Sequence, residues 1–120
     1  MSKSIVLEKS IKFALRIVKL YRHLTDKKKE FVLSKLVLIS GTFVAKHVRE
    51  ATAGEGRPNF SNEMFIAMKR AIETEFWLMI IHEGGWLDEK QYLSINEDCV
   101  ELIKMTSAIS KTSRDDGTAS

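Results

Sequence analysis

One cysteine, one proline and no uninterrupted apolar stretch of about 18 residues mark this 120-residue chain. Cys99 alone cannot form an intramolecular disulfide, and a lone thiol suits a reducing compartment better than a secreted scaffold. Its place in the series Tyr92, Ile95, Cys99, Leu102, Thr106, Ile109 has helical core spacing, so it reads as a small apolar core residue and not as a nucleophile. Pro58 and six glycines, mostly at what read as connections, leave the rest of the chain free for long helices. Alternation of period two, hairpin signals and internal repeats are missing. Glu8 and Lys9 interrupt the first apolar residues before a secretory region forms, so the expected location is the cytoplasm, away from membranes.

The chemistry of catalysis is equally sparse. Gly54-x-Gly56 lacks a preceding strand and a Gly-Lys-Ser/Thr, so it is a turn and not a phosphate cradle. No Glu-x-x-His pair of the kind that feeds a bundle metal site occurs, His47-x-x-Glu50 is a helical neighbour pair, and Glu75 and His82, which could meet a metal or each other, read as polar residues at a subunit boundary. No nucleophile, base and orienting group come together. No catalytic residue, metal or cofactor is expected.

What the chain does have is polarised charge. Residues 1–58 carry thirteen Lys/Arg against five Asp/Glu, whereas residues 59–120 carry six against eleven. Lys9, Lys12, Arg16, Lys19 and His23 follow at steps of three and four, which places them on one stripe of a helix with about 3.6 residues per turn. Lys35, Lys46 and Arg49 continue the cationic surface on the next helix, with Lys28 on their stripe. Such a surface suits phosphates, bound without sequence readout and with steep salt dependence. It suits equally a solvated face that pairs with the acidic fourth helix. Lys27-Lys28-Lys29 alone reads as an exposed turn.

Apolar periodicity predicts four helices. Leu7, Ile11, Ala14, Val18 and Tyr21 form one row of the first, from about residue 6 to 25, with Phe13, Ile17, Leu20 and Leu24 beside it. Thr25 or Asp26 is the expected cap of the second helix, which runs to about Ala53. Asn59 is the expected cap of the third, and Gly84-Gly85 closes it near Glu83. Asp88 caps the fourth, which ends near residue 111. One domain over residues 1–112 with a flexible tail at 113–120 follows, and the short connections favour an up-down-up-down antiparallel bundle. Ser40-Gly-Thr42 falls mid-helix, where small residues allow close approach.

The third helix is apolar around most of its circumference. Met64, Ala67, Ala71, Leu78 and Ile81 make one row, and Phe65, Met68, Ile72, Phe76 and Met79 make a second. One small bundle cannot cover both, so the second row is expected to join copies into a homo-oligomer.

Three blocks carry a family resemblance: Phe31-Val-Leu-Ser-Lys35; Ser40-Gly-Thr42 continuing to Glu50-Ala51; and Ile66-Ala67, Ala71, Glu73-Thr74-Glu75 and Phe76-Trp77-Leu78. Together they resemble the bacterial four-helix-bundle proteins of 23S rRNA intervening sequences. The resemblance implies a left-handed bundle assembled into a ring, commonly a pentamer, without known enzymatic activity. A related branch is similar to the accessory variability protein of diversity-generating retroelements, which implies contacts with nucleic acid and a reverse transcriptase. Ile39 and His47 depart from the usual Arg and Asn of the pattern. Glu50, Glu73, Thr74 and Trp77 match as packing and assembly positions. The expected function is a non-enzymatic ring that binds RNA or DNA through its basic face, the alternative being a scaffold that docks a polymerase or another protein.

Overall fold

In the computed structural model, which describes residues 2–54 and 56–119 and the side chains of 5–54, 56 and 58–113, four helices account for nearly all of the chain. They are α1 (Ser2–Asp26), α2 (Leu33–Ala53), α3 (Arg57–Glu83) and α4 (Glu89–Ala119), and no strand occurs among the described residues. The fold is all-α. Its extents of 52 × 22 × 21 Å follow from helices of 21 to 31 residues lying side by side.

Each helix touches the next, and α1 also meets α4 along the least extensive of the four seams. Across two of the seams the contacting residue numbers run in opposite directions. Ser40 meets Thr74 and His47 meets Glu63 between α2 and α3, while Lys9 meets Glu101 and Arg16 meets Asp98 between α1 and α4. Phe13, Ile17, Leu24, Val37, Val44, Val48, Met64, Ala67, Ala71, Leu78, Ile81, Cys99 and Leu102 fill the centre, each at most 1% exposed. The first apolar row expected for α3 is therefore the core row.

Close approach of α1 and α2 rests on Gly41. A Cβ there would stand 2.7 Å from Cγ1 of Ile17, below any normal contact, so the small residue predicted mid-helix is what lets these helices touch. Beside it, the buried hydroxyls of Ser40 and Thr74 lie 2.9 Å apart and join α2 to α3.

The helix ends differ from expectation at several points. Thr25 Oγ1 donates back to the Tyr21 carbonyl inside the last turn of α1, and Thr25 and Asp26 do not cap α2. Glu30 does so from the connection, through its side-chain carboxylate. Gly56 and not Asn59 precedes α3, with φ 79°, and Pro58 occupies the first turn, where its missing N–H costs no hydrogen bond. Asn59 lies inside the helix. Asp88 is the cap expected, its Oδ1 accepting the N–H of Gln91 at 2.7 Å. α4 runs past the expected end at residue 111 to Ala119, and the side chains of the expected tail beyond Ser113 lie outside the described residues.

The orientation of α1 decides where the basic stripe lies. The buried side chains of this helix are Val6, Ser10, Phe13, Ile17, Leu20 and Leu24, whereas Leu7, Ala14, Val18 and Tyr21 are half-buried and Ile11 is 43% exposed. Of the two adjacent apolar rows expected, the one through Phe13, Ile17, Leu20 and Leu24 supplies the core and the other lies on its flank. At about 100° per residue the basic stripe then lies about a quarter turn from the core, with Lys9 and Arg16 on the edge that meets α4.

Candidate functional site

That quarter turn divides the cationic stripe. Lys9 Nζ reaches Glu101 at 2.9 Å, and this hydrogen bond and the nearby carboxylates hold its ammonium above the usual lysine range. Arg16 donates to Asp98 at 2.7 Å and to Ser94 Oγ at 3.0 Å. Lys12 stands 3.8 Å from Glu8. A groove of about 360 Å³ lined by Glu8, Lys9, Lys12, Phe13, Asp98, Glu101 and Leu102 follows this seam, so its walls carry both signs of charge. Lys46 pairs with Glu50 at 3.0 Å, and that bond draws the Glu50 carboxyl below its usual range.

Lys19, Lys35 and Arg49 form no ion pair with any described residue. The same is true of Arg22 and of Lys27, Lys28 and Lys29 in the α1–α2 connection. His23 is half-buried on the last turn of α1. The stripe is thus paired where Lys9 and Arg16 reach α4 and unpaired at Lys19, toward the end of α1. Spacing alone could not reveal this, because Lys9 and Arg16 find partners 92 and 82 residues away.

Glu30, which no periodicity or motif singles out, organises the open end. It is 9% exposed, and its carboxylate accepts the N–H groups of Val32 at 3.2 Å, Leu33 at 2.9 Å and Ser34 at 2.7 Å, so it caps α2. Burial would raise this carboxyl, but the N–H bonds from Leu33, Ser34 and Val32 prevail and hold it below the usual carboxylate range. Its charge is consumed by the helix terminus. A Glu three residues before the first helical residue was the available signal.

On α3, Phe65, Ile72, Phe76 and Met79 are 40–48% exposed, and Met68 is half-buried. These residues lie on the side of α3 away from the core row. Ile66 is 38% exposed beside them, and Lys69 Nζ lies 5.7 Å from the Phe65 ring centroid. Toward α2, Arg70 stacks over Phe43 at 4.9 Å and donates to Glu73 at 3.0 Å. Glu73 also accepts from Trp77 Nε1 at 3.4 Å. Trp77 and Trp86 are partly buried against the core, as expected for packing residues.

His47, Glu50 and Glu63 bring three possible metal-ligand atoms within 4.8 Å of one another, a juxtaposition that needs the α2–α3 contact and is invisible in His47-x-x-Glu50 alone. Nδ1 of His47 lies 2.8 Å from Glu63 and 3.4 Å from Glu50. One proton on Nδ1 satisfies Glu63 while Lys46 holds the other oxygen of Glu50, so ordinary hydrogen bonding accounts for the group. His82 is engaged by residues other than Glu75. Its Nδ1 lies 2.8 Å from the Leu87 carbonyl, and its ring stacks on Tyr92 with centroids 4.3 Å apart. Cys99 is buried, lies 3.3 Å from the Ala71 carbonyl, and has its thiol pushed up to about 12 by burial and by the charges of Glu75 and Asp98. A thiol so held is not nucleophilic near neutrality.

No described helix is long and apolar enough to cross a membrane. Comparison with known proteins places these features in a family. The profile of the 23S rRNA-intervening sequence proteins matches residues 2–108. A 1.70 Å crystal structure of a protein of unknown function from the S23 ribosomal protein family, from Bacteroides thetaiotaomicron VPI-5482, superposes with a TM-score of 0.90 at 42% identity, covering 92% of this chain and 99% of that one. No curated protein is matched. With nearly its whole length matched and its four helices shared with a solved relative, the chain belongs to the 23S rRNA-intervening sequence protein family.

Proposed function

We propose that the chain is a non-enzymatic, self-assembling bundle that binds RNA or DNA through cations at the junction of α1 and α2. One observation carries the reading. Among the described residues, Lys19, Arg22, Lys27, Lys28, Lys29 and Lys35 stand without ion-pair partners around a connection whose buried carboxylate is already committed to the α2 terminus. Arg49, farther along α2, adds to this surface. Lys9 and Arg16 leave the proposed site, since binding phosphate there would require breaking their bonds to α4.

Assembly supplies the multiplicity. Phe65, Met68, Ile72, Phe76 and Met79 form the joining surface, and their exposure supports it because an apolar row of this length is poorly accommodated by water. The opposed residue pairs across the seams support an antiparallel up-down-up-down bundle, which we take to be left-handed. A ring of such bundles, a pentamer on the resemblance, repeats the cationic junction and raises its effective concentration along a polyanion. Its place is the cytoplasm.

The test substitutes Lys19, Lys28 and Lys35 with Glu, checks the assembly by native mass spectrometry, and titrates a labelled oligonucleotide across salt. Affinity should fall at least about tenfold and the salt slope should flatten. Lys9→Ala with Arg16→Ala should bind as the parent does. Unchanged affinity and slope in the triple variant would reject the reading. A protein partner retained equally after nuclease treatment, with no oligonucleotide bound, would favour the docking scaffold instead.

A further inference from the structure

The connection between α1 and α2 holds two large apolar side chains out in water among lysines. Phe31 is 54% exposed and Val32 is 68% exposed, with Lys27, Lys28 and Lys29 exposed before them and Lys35 exposed after. A slack loop would fold such side chains against the adjacent helices. This one is fixed on both sides. Lys29 takes the left-handed conformation at φ 55°, which turns the chain so that the Glu30 N–H reaches the Leu24 carbonyl at 2.9 Å. The Glu30 carboxylate then grips Val32, Leu33 and Ser34 from below. Phe31 sits between these anchors, and its ring stacks on no described residue.

A flat aromatic surface with ammonium groups around it matches a ligand that is itself flat and apolar at one place and anionic at the next. Nucleotides have that form, and a base offers its face only when it is unpaired. Two apolar side chains are little area for gripping a bilayer surface, where binding grows with buried area, but they are enough for one or two bases. Resting on the nucleic-acid function of the α1–α2 junction, we propose that this connection is a single-strand site: an unpaired base stacks on Phe31 against Val32 while the neighbouring phosphates engage Lys27, Lys28 and Lys35.

The experiment compares Phe31→Ala, Phe31→Trp and Lys27→Ala/Lys28→Ala in the full chain, each checked for assembly size by native mass spectrometry. Binding of oligo(U), oligo(dT) and a duplex of equal length is measured over a salt series. Phe31→Ala should weaken single-strand binding about 5- to 150-fold, as expected when one base no longer stacks, with an unaltered salt slope. Phe31→Trp should retain affinity to within about twofold, and its added fluorescence, read against the parent containing Trp77 and Trp86, should be quenched on binding. The lysine pair should lower the slope by about 0.7 for each phosphate no longer engaged. Three results would overturn the site. Single-strand binding unchanged in Phe31→Ala but abolished in the lysine pair leaves phosphate binding intact and removes the stacking. An altered assembly size in Phe31→Ala makes Phe31 an assembly residue. Phe31-dependent binding to phosphatidylserine vesicles without oligonucleotide binding assigns the patch to lipid. A parent chain that binds neither strand nor duplex defeats the broader reading together with this one.

Discussion

α1 is held by its two neighbours in contrasting ways. Against α2 the contact is apolar and close, with Gly41 admitting Ile17 to a distance no side chain would permit. Against α4 the seam is less extensive and edged by exposed ion pairs, Lys9 with Glu101 and Arg16 with Asp98. Among the described residues, the lysines and arginines of the first half of the chain therefore meet carboxylates of the second half at this seam only. Shape secures the first contact and electrostatics decorates the second, and Lys19, Arg22, Lys27, Lys28, Lys29 and Lys35 are left without ion-pair partners among the described residues.

Three measurements probe this contrast. The largest effect is expected at Gly41→Val, because a branched side chain against Ile17 must force the helices apart. A loss of about 1–3 kcal/mol in urea denaturation at fixed protein concentration is expected, and a neutral result would mean that α1 and α2 are not tightly apposed. Next comes Glu30→Gln, which removes the anionic cap from the α1–α2 connection at a cost of about 0.5–2 kcal/mol at pH 7. Since the folded carboxyl lies below its ordinary value of 4.5, its stabilisation is complete above that value and disappears as pH falls through the folded value. The gap between parent and variant should therefore close on acidification, and a gap independent of pH would contradict the cap. The smallest effect belongs to the α4 seam. A double-mutant cycle on Arg16 and Asp98, whose side chains are 40% and 41% exposed, should give a coupling below about 1 kcal/mol that shrinks further in salt.

The four helices were legible because their apolar residues recur at helical spacing, and the core row of α3 could be named residue by residue. The rotation of α1 was not. Two adjacent apolar rows, one ending in Tyr21 and the other in Leu24, are equally periodic, and only the neighbours α2 and α4 decide which is buried. With that choice went the fate of the basic stripe. The start of α2 was misplaced for a different reason: the connection contains no Gly or Pro, its left-handed residue is a lysine, and its cap is a glutamate longer than the usual capping side chains. The apolar row from Phe65 to Met79 was legible as surplus, and its exposure on α3 agrees with that.

Cys99 has a practical consequence. Since the chain's only native thiol is enclosed and stays protonated to about 12, a second cysteine introduced at the surface would be the sole group to react with a maleimide near neutrality. Dyes, spin labels or crosslinkers could thus be attached at one chosen point, such as a Phe31→Cys position, without first removing the native sulfur.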